Sequence, residues 1–264
     1  MRRLYIGVAA LALAGCAHGY QHRERAGDGP GPVAASFDYA SVFAPDQGRP
    51  EADYADYELR KAEAVLAFTG VQPGMTVVEM EAGDGFYTEL LGSVVGAEGK
   101  VYQQNPAGFD GFLGDSVEKR GHLVRLPQVE YVRAQFDAMP VADGEADLVT
   151  WFLGPHELWF VPKGTEMGVF GGTESSFAEV ARVLKPGGTF VVLDHMAAPG
   201  SPATTGGDTH RIDKAIVIDM AQAAGLTLVE ESDVLANPED DYSIGVFDPS
   251  VRRKTDRFLL KFRK

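Results

Sequence analysis

The chain has almost no cysteine: Cys16 is the only one among 264 residues. A folded part built from the residues after it therefore holds no disulfide and no cysteine-ligated zinc site. Positive charge is also scarce. Lys and Arg number 24 against 38 Asp and Glu, a formal net charge of −14, whereas a phosphate-binding surface needs clustered Lys and Arg. This balance excludes nucleic acid as a partner and reads as solubility. Long hydrophobic runs are missing as well, since the apolar stretch from Leu4 to Ala14 is too short to span a bilayer as a helix. Internal repeats and low-complexity arrays are absent, and nothing in the pattern marks an oligomeric state.

The N-terminus carries an export pattern. Arg2 and Arg3 precede the apolar run, which ends in Leu13-Ala14-Gly15-Cys16. Positive residues, a short apolar core and small residues before a cut define a signal peptide, and the sequence around Cys16 looks like a bacterial lipobox. The expectation is a lipoprotein signal peptide over 1–15, lipidation of Cys16, and a protein anchored on the periplasmic side of a bacterial membrane. Gly27-Asp28-Gly29-Pro30-Gly31-Pro32 cannot sustain helix or strand. A flexible tether is therefore expected over 16–48 and one folded domain over 49–264, a length suited to a single α/β unit.

Within that domain the hydrophobic period alternates. Apolar residues from Ala52 to Phe68 recur at three- and four-residue spacing, which predicts a helix ended by Gly70 and Pro73-Gly74. Strand-like runs follow at Thr76–Met80, Lys100–Gln104, Val129–Ala134, Ala146–Phe152, Thr189–Leu193, Leu226–Glu230 and Arg257–Phe262. Helical patterns lie between them at Phe86–Val95, Ser175–Leu184 and Ile212–Ala224. Repeated β-α-β order predicts a doubly wound, mainly parallel sheet with helices on both faces. Ligands of such sheets sit beyond the carboxyl ends of the strands, so chemistry is sought in the loops after each strand.

The loop after the first strand reads Glu79-Met80-Glu81-Ala82-Gly83-Asp84-Gly85. Two glycines between a strand and a helix allow a tight turn and close approach of a ligand. The N–H groups at the start of the helix can then hold a carboxylate. A nicotinamide-binding loop is the competing reading, but Gly83-x-Gly85-x-x-Thr88 lacks the third small residue and no acid follows the second strand.

Val77 to Gly85 resembles motif I of the class I S-adenosylmethionine (SAM) methyltransferases. Leu184-Lys185-Pro186-Gly187-Gly188 resembles their turn before the fifth strand, and Asp137 to Val149 their approach to the fourth. The chain is also similar to a bacterial group of exported predicted methyltransferases, through Gln104-Asn105-Pro106, Asp194-His195, His210-Arg211-Ile212-Asp213, Asn237-Pro238 and Thr255-Asp256-Arg257-Phe258. The resemblance implies a Rossmann-like seven-stranded sheet, SAM as cofactor and methyl transfer to a small-molecule or envelope acceptor. It further implies that Glu79 faces the methionine amino group of SAM and that Gly83 and Gly85 lie beneath that moiety. Asn105 falls at the ribose position, and Gln135 and Phe136 at the adenine position. Three residues depart from the common pattern: Glu81 replaces a glycine, and Asn105 and Gln135 replace carboxylates. The alternative is an envelope protein that keeps the fold without catalysis.

Methyl transfer to a hydroxyl or a protonated amine needs a base, and histidine has a suitable pKa. His156 follows the fourth strand, His195 follows the fifth after Asp194, and His210 opens the helix beyond them. Each is a candidate base or a structural residue. Arg211 and Asp213 read as a local ion pair. Trp151, Phe152, Trp159 and Phe160 either line an acceptor pocket or complete the core. No two of these histidines share the i, i+4 spacing of a helical metal motif, so no metal is expected.

Overall fold

The computed structural model describes residues 37–45 and 47–264. The expected signal peptide, Cys16 and most of the expected tether lie outside the described residues. Among the described residues, packing already includes Phe37, Tyr39 and Phe43, ahead of the boundary expected at residue 49. A 3-10 turn at Tyr39–Phe43 buries Val42, and the Tyr39 hydroxyl donates to Val71 O at 2.8 Å. Arg49 clamps this segment by donating to Val42 O at 2.7 Å and Ser93 Oγ at 2.8 Å. Phe37, Tyr39 and Phe43 pack against the core cluster on one side of the sheet.

Two helices, α1 (Glu51–Leu59) and α2 (Ala62–Thr69), stand where one was expected. The break falls at Lys61, whose φ of 46° no continuous α-helix accommodates. The alternation then runs through β1 (Thr76–Met80), α3 (Phe86–Val95) and β2 (Lys100–Asn105). Short helices α4 (Asp110–Leu113), α5 (Ser116–Arg120) and α6 (His122–Arg125) lead to β3 (Val129–Arg133). Next come β4 (Ala146–Phe152), α7 (Thr173–Val183), β5 (Leu184–His195), α8 (Thr205–Thr209) and α9 (Lys214–Ala223), before the closing strands β6 (Thr227–Ser232) and β7 (Arg257–Arg263).

The strands form one seven-stranded sheet in the order β3-β2-β1-β4-β5-β7-β6, parallel except for β7. Period-two alternation divides the core between its faces. Val78, Met80, Val149, Trp151, Phe190 and Val192 pack on one side, whereas Val77, Leu148, Val191 and Leu193 pack on the other. Each such side chain contributes roughly 1.5–3 kcal/mol by leaving water. The expected turn at Lys185–Gly188 is a bulge inside β5: Ala146 pairs with Leu184, but Leu148 already pairs with Thr189. Strands β1, β4 and β5 end together at one edge, where Glu81, His156 and His195 emerge.

Candidate active site

The turn after β1 is held open by its neighbours. Gly83 takes φ +60°, and a Cβ placed on it would meet nothing within 4 Å. Gly85 takes φ +106°, and there a Cβ would come within 2.9 Å of the His122 ring. The first glycine therefore leaves a bare main-chain face, and the second lets the turn pack against β2. Asn105 braces the bare face from below. Its Oδ1 accepts from Gly83 N and its Nδ2 donates to Gly83 O, both at 2.9 Å. Asn105, expected at the ribose position, thus has its amide wholly buried and engaged at both ends.

Glu79 and Glu81 flank the turn differently. The Glu79 carboxylate is buried and accepts from the Thr88 hydroxyl at 2.5 Å; burial pushes its pKa up to about 8. Glu81 stands in the left-handed region at φ 51°, a conformation costing a non-glycine residue about 1–2 kcal/mol. Gln104 holds its backbone N–H at 2.9 Å, and its carboxylate accepts from the Trp151 indole at 3.0 Å. Burial, and next the nearby Glu157 carboxylate, raise the Glu81 pKa well above the usual carboxylate range.

Gln135 is exposed and donates to Val169 O at 2.7 Å. Phe136, expected at adenine, is completely buried, its ring 4.9 Å from Trp151 and its N–H bonded to Phe170 O. Phe109 and Phe170 meet edge to face at 4.8 Å beside it. This aromatic cluster was not legible from sequence because Phe170 arrives from an irregular segment.

Beyond β4 and β5, two of the expected histidines meet and the third lies close by. The His156 ring is buried, with Nδ1 2.7 Å from Asp194 Oδ1, and its backbone N–H donates to Asp194 Oδ2 at 2.9 Å. Its Nε2 lies 3.3 Å from Glu157 Oε1, and His210 Nδ1 is 3.2 Å from the same oxygen. Burial alone would lower the His156 pKa. Asp194 and Glu157 outweigh it and hold the ring at about 10. Burial would likewise raise Glu157, but its bonds to His156 and His210 bring it to about 2. His210 ends α8 in the left-handed region rather than opening a helix. Arg211 pairs with Asp240 at 2.8 and 3.0 Å, not with Asp213, which caps α9 by accepting from Ala215 N. Of the four aromatics left open, Trp151 and Phe152 are core, whereas Trp159 and Phe160 are only partly buried.

His195 faces a separate space. It lines a cavity of about 220 Å³ together with Arg60, Arg252, Arg253, Arg257, Phe247 and Asp56, which pairs with Arg60 and Arg253. Its Nδ1 lies 2.7 Å from Thr255 Oγ1, and burial, then the charged His156, hold its pKa well below the usual histidine value. Arg257 Nε is buried without a hydrogen-bond partner. In a chain of net charge −14, this is a local concentration of positive groups.

Sheet order, a single antiparallel strand and the glycine turn after β1 define the class I methyltransferase fold. Residues 78–192 match the methyltransferase domain family. A ubiquinone/menaquinone biosynthesis C-methyltransferase of Salmonella arizonae is 32% identical over 126 residues, 48% of this chain and 45% of that one. The chain thus spans about half the length of the curated relatives it matches. Among solved structures, a SAM-dependent methyltransferase from Aquifex aeolicus aligns with TM-score 0.56 at 19% identity, covering 86% of this chain and 98% of that one. The 4+2 cyclase SpnF aligns with TM-score 0.55 at 16% identity, covering 83% and 85%. These likenesses establish the fold, and the cyclase illustrates that one fold hosts more than one reaction.

Proposed function

We propose that the chain transfers a methyl group from SAM to a small anionic acceptor, free or part of the envelope. The observation that carries this reading is the bare main-chain face of Gly83 in a strand–turn–helix setting, where a ligand can approach without meeting a side chain. The turn fits the methionine end of SAM: Gly83 and Gly85 form its floor, and Glu79 and Glu81 supply acidic groups beside it. When bound, SAM supplies an electrophilic methyl on a sulfonium. The protein's main task is then to place the nucleophile in line with it.

The cavity beside His195 suits the acceptor. Of its four arginines, Arg60 and Arg253 pair with Asp56 in the same lining, which leaves Arg252 and Arg257 to favour an anion, and Phe247 offers an apolar wall. Of the three candidate histidines, His195 suits the role of proton acceptor, because it is held neutral whereas His156 is held cationic. Calorimetric titration of the purified full chain with SAM and S-adenosylhomocysteine tests the reading. Binding of one equivalent is expected, weakened about tenfold or more by Gly83→Ala. Absence of heat from both compounds would overturn it.

A second reading is a non-catalytic envelope protein on the same fold. Glu81 favours it, since its carboxylate is engaged with Trp151 at the position where the methyltransferase pattern has glycine. We also propose lipid anchoring at Cys16 on the periplasmic side, supported by the lipobox-like sequence alone. Cys16→Ser should release the protein from membranes on fractionation, and continued sedimentation with them would count against the anchor.

A further inference from the structure

We propose that His156, Glu157 and His210 form a binding site for one divalent transition-metal ion of the zinc or ferrous class. The donor set is two imidazoles and one carboxylate, the combination that three-ligand zinc centres and non-haem iron centres use with a position left open. One ligand atom from each residue lies within 4.8 Å of the other two. The distances from Glu157 Oε1 to the two ring nitrogens, 3.3 and 3.2 Å, are those expected across a tetrahedral site. Bonds of about 2.0 Å to a central ion put neighbouring donors roughly 3.3 Å apart.

The surroundings are built for this arrangement. Asp194, wholly buried, accepts from His156 Nδ1 and fixes the ring so that Nε2 is the nitrogen turned to Glu157. A carboxylate behind a ligating imidazole is the usual outer support of a metal centre. The third donor arrives through close packing of α8 on the Pro155–Trp159 turn. A Cβ on Gly206 would stand 2.5 Å from His156 O, and one on Gly207 2.5 Å from Trp159 O. Only glycines allow that approach, and it brings His210 to Glu157. Phe160 and Phe247 then hold the His210 ring, each with centroids 4.8 Å from it.

Charge points the same way. Glu81, Glu157 and Asp194 converge here, and among the described residues no Lys or Arg forms an ion pair with any of them. A divalent cation bound at these donors would displace the proton that His156 otherwise holds on Nε2 and take over its place as the positive partner of Glu157. The inference is independent of SAM, because none of the donors belongs to the glycine turn.

The test uses untagged full chain freed of metal by chelation, titrated calorimetrically with Zn²⁺ and, in parallel, followed by visible absorption with Co²⁺. One equivalent should bind, and Co²⁺ should give the intense visible bands of a four- or five-coordinate site. Glu157→Gln, nearly isosteric, and His210→Ala should each weaken Zn²⁺ binding about 100-fold, and Asp194→Asn about 10- to 100-fold. Circular dichroism checks that the variants stay folded. Substoichiometric binding, or affinity unchanged in both Glu157→Gln and His210→Ala, would overturn the site. Because the titration contains no SAM, its outcome is separate from that of the cofactor experiment.

Discussion

Two buried charge clusters flank β1, and they are composed differently. On the β2 side, Arg120 donates to Asp53 at 2.6 Å and Glu89 at 2.7 Å and reaches Asp84 at 3.1 Å, while Arg125 also pairs with Glu89. On the β4 side, among the described residues, Glu81, Glu157 and Asp194 are answered by the rings and main-chain N–H groups of histidines and by an indole N–H, with no Lys or Arg. Arginine cannot lose its proton, so the first cluster is fixed in charge and geometry. Histidines can release theirs, so the second can exchange a proton or a ligand. The first ties α1, α3 and α5 together. The second lies where a class I fold presents its chemistry.

The largest expected effect belongs to the first cluster. Arg120→Leu leaves Asp53 and Glu89 buried without their shared cation, and removing one partner of a buried pair costs about 3–5 kcal/mol. Denaturant unfolding should show a loss of that size. A loss under about 1 kcal/mol would mean that the β2 side is not the structural partner in the contrast.

The same contrast explains what could be read in advance. Strands β1 and β4 and helix α3 fall at the expected residues because unbroken β-branched runs and clean helical periodicity leave little choice. The break at Lys61 was hidden, because a left-handed lysine has no composition signal. The short helices α4, α5 and α6 were hidden for a related reason: four or five residues are too few to show a period. At the site, His156 and His195 were legible as histidines after strands, and His210 as a histidine expected to open a helix. Their grouping was not, since His210 reaches Glu157 only through the docking of α8, across 53 positions of sequence. Asn105 stood out as a departure, yet its task of bracing Gly83 depends on the β1–β2 register. The resemblance places Phe136 at adenine, whereas its packing against Trp151 and Phe170 depends on an irregular segment that the sequence does not mark.

The smallest expected effect belongs to the second cluster and bears most directly on function. Glu81→Gly restores the residue that the methyltransferase pattern has at φ 51°. Relief of the left-handed conformation favours the variant by about 1–2 kcal/mol. Against this, the buried Trp151 indole loses its acceptor, a cost of about 1–3 kcal/mol unless water enters the space left behind. With the two nearly cancelling, unfolding free energy should change by less than about 1 kcal/mol. Ligand binding should respond instead, because the substitution removes one of the carboxylates around His156 and empties the space that its side chain fills against Trp151 and Gly154. A stability loss near that expected for Arg120→Leu, with ligand affinities unchanged, would place Glu81 among the structural charges and dissolve the distinction between the two sides of β1.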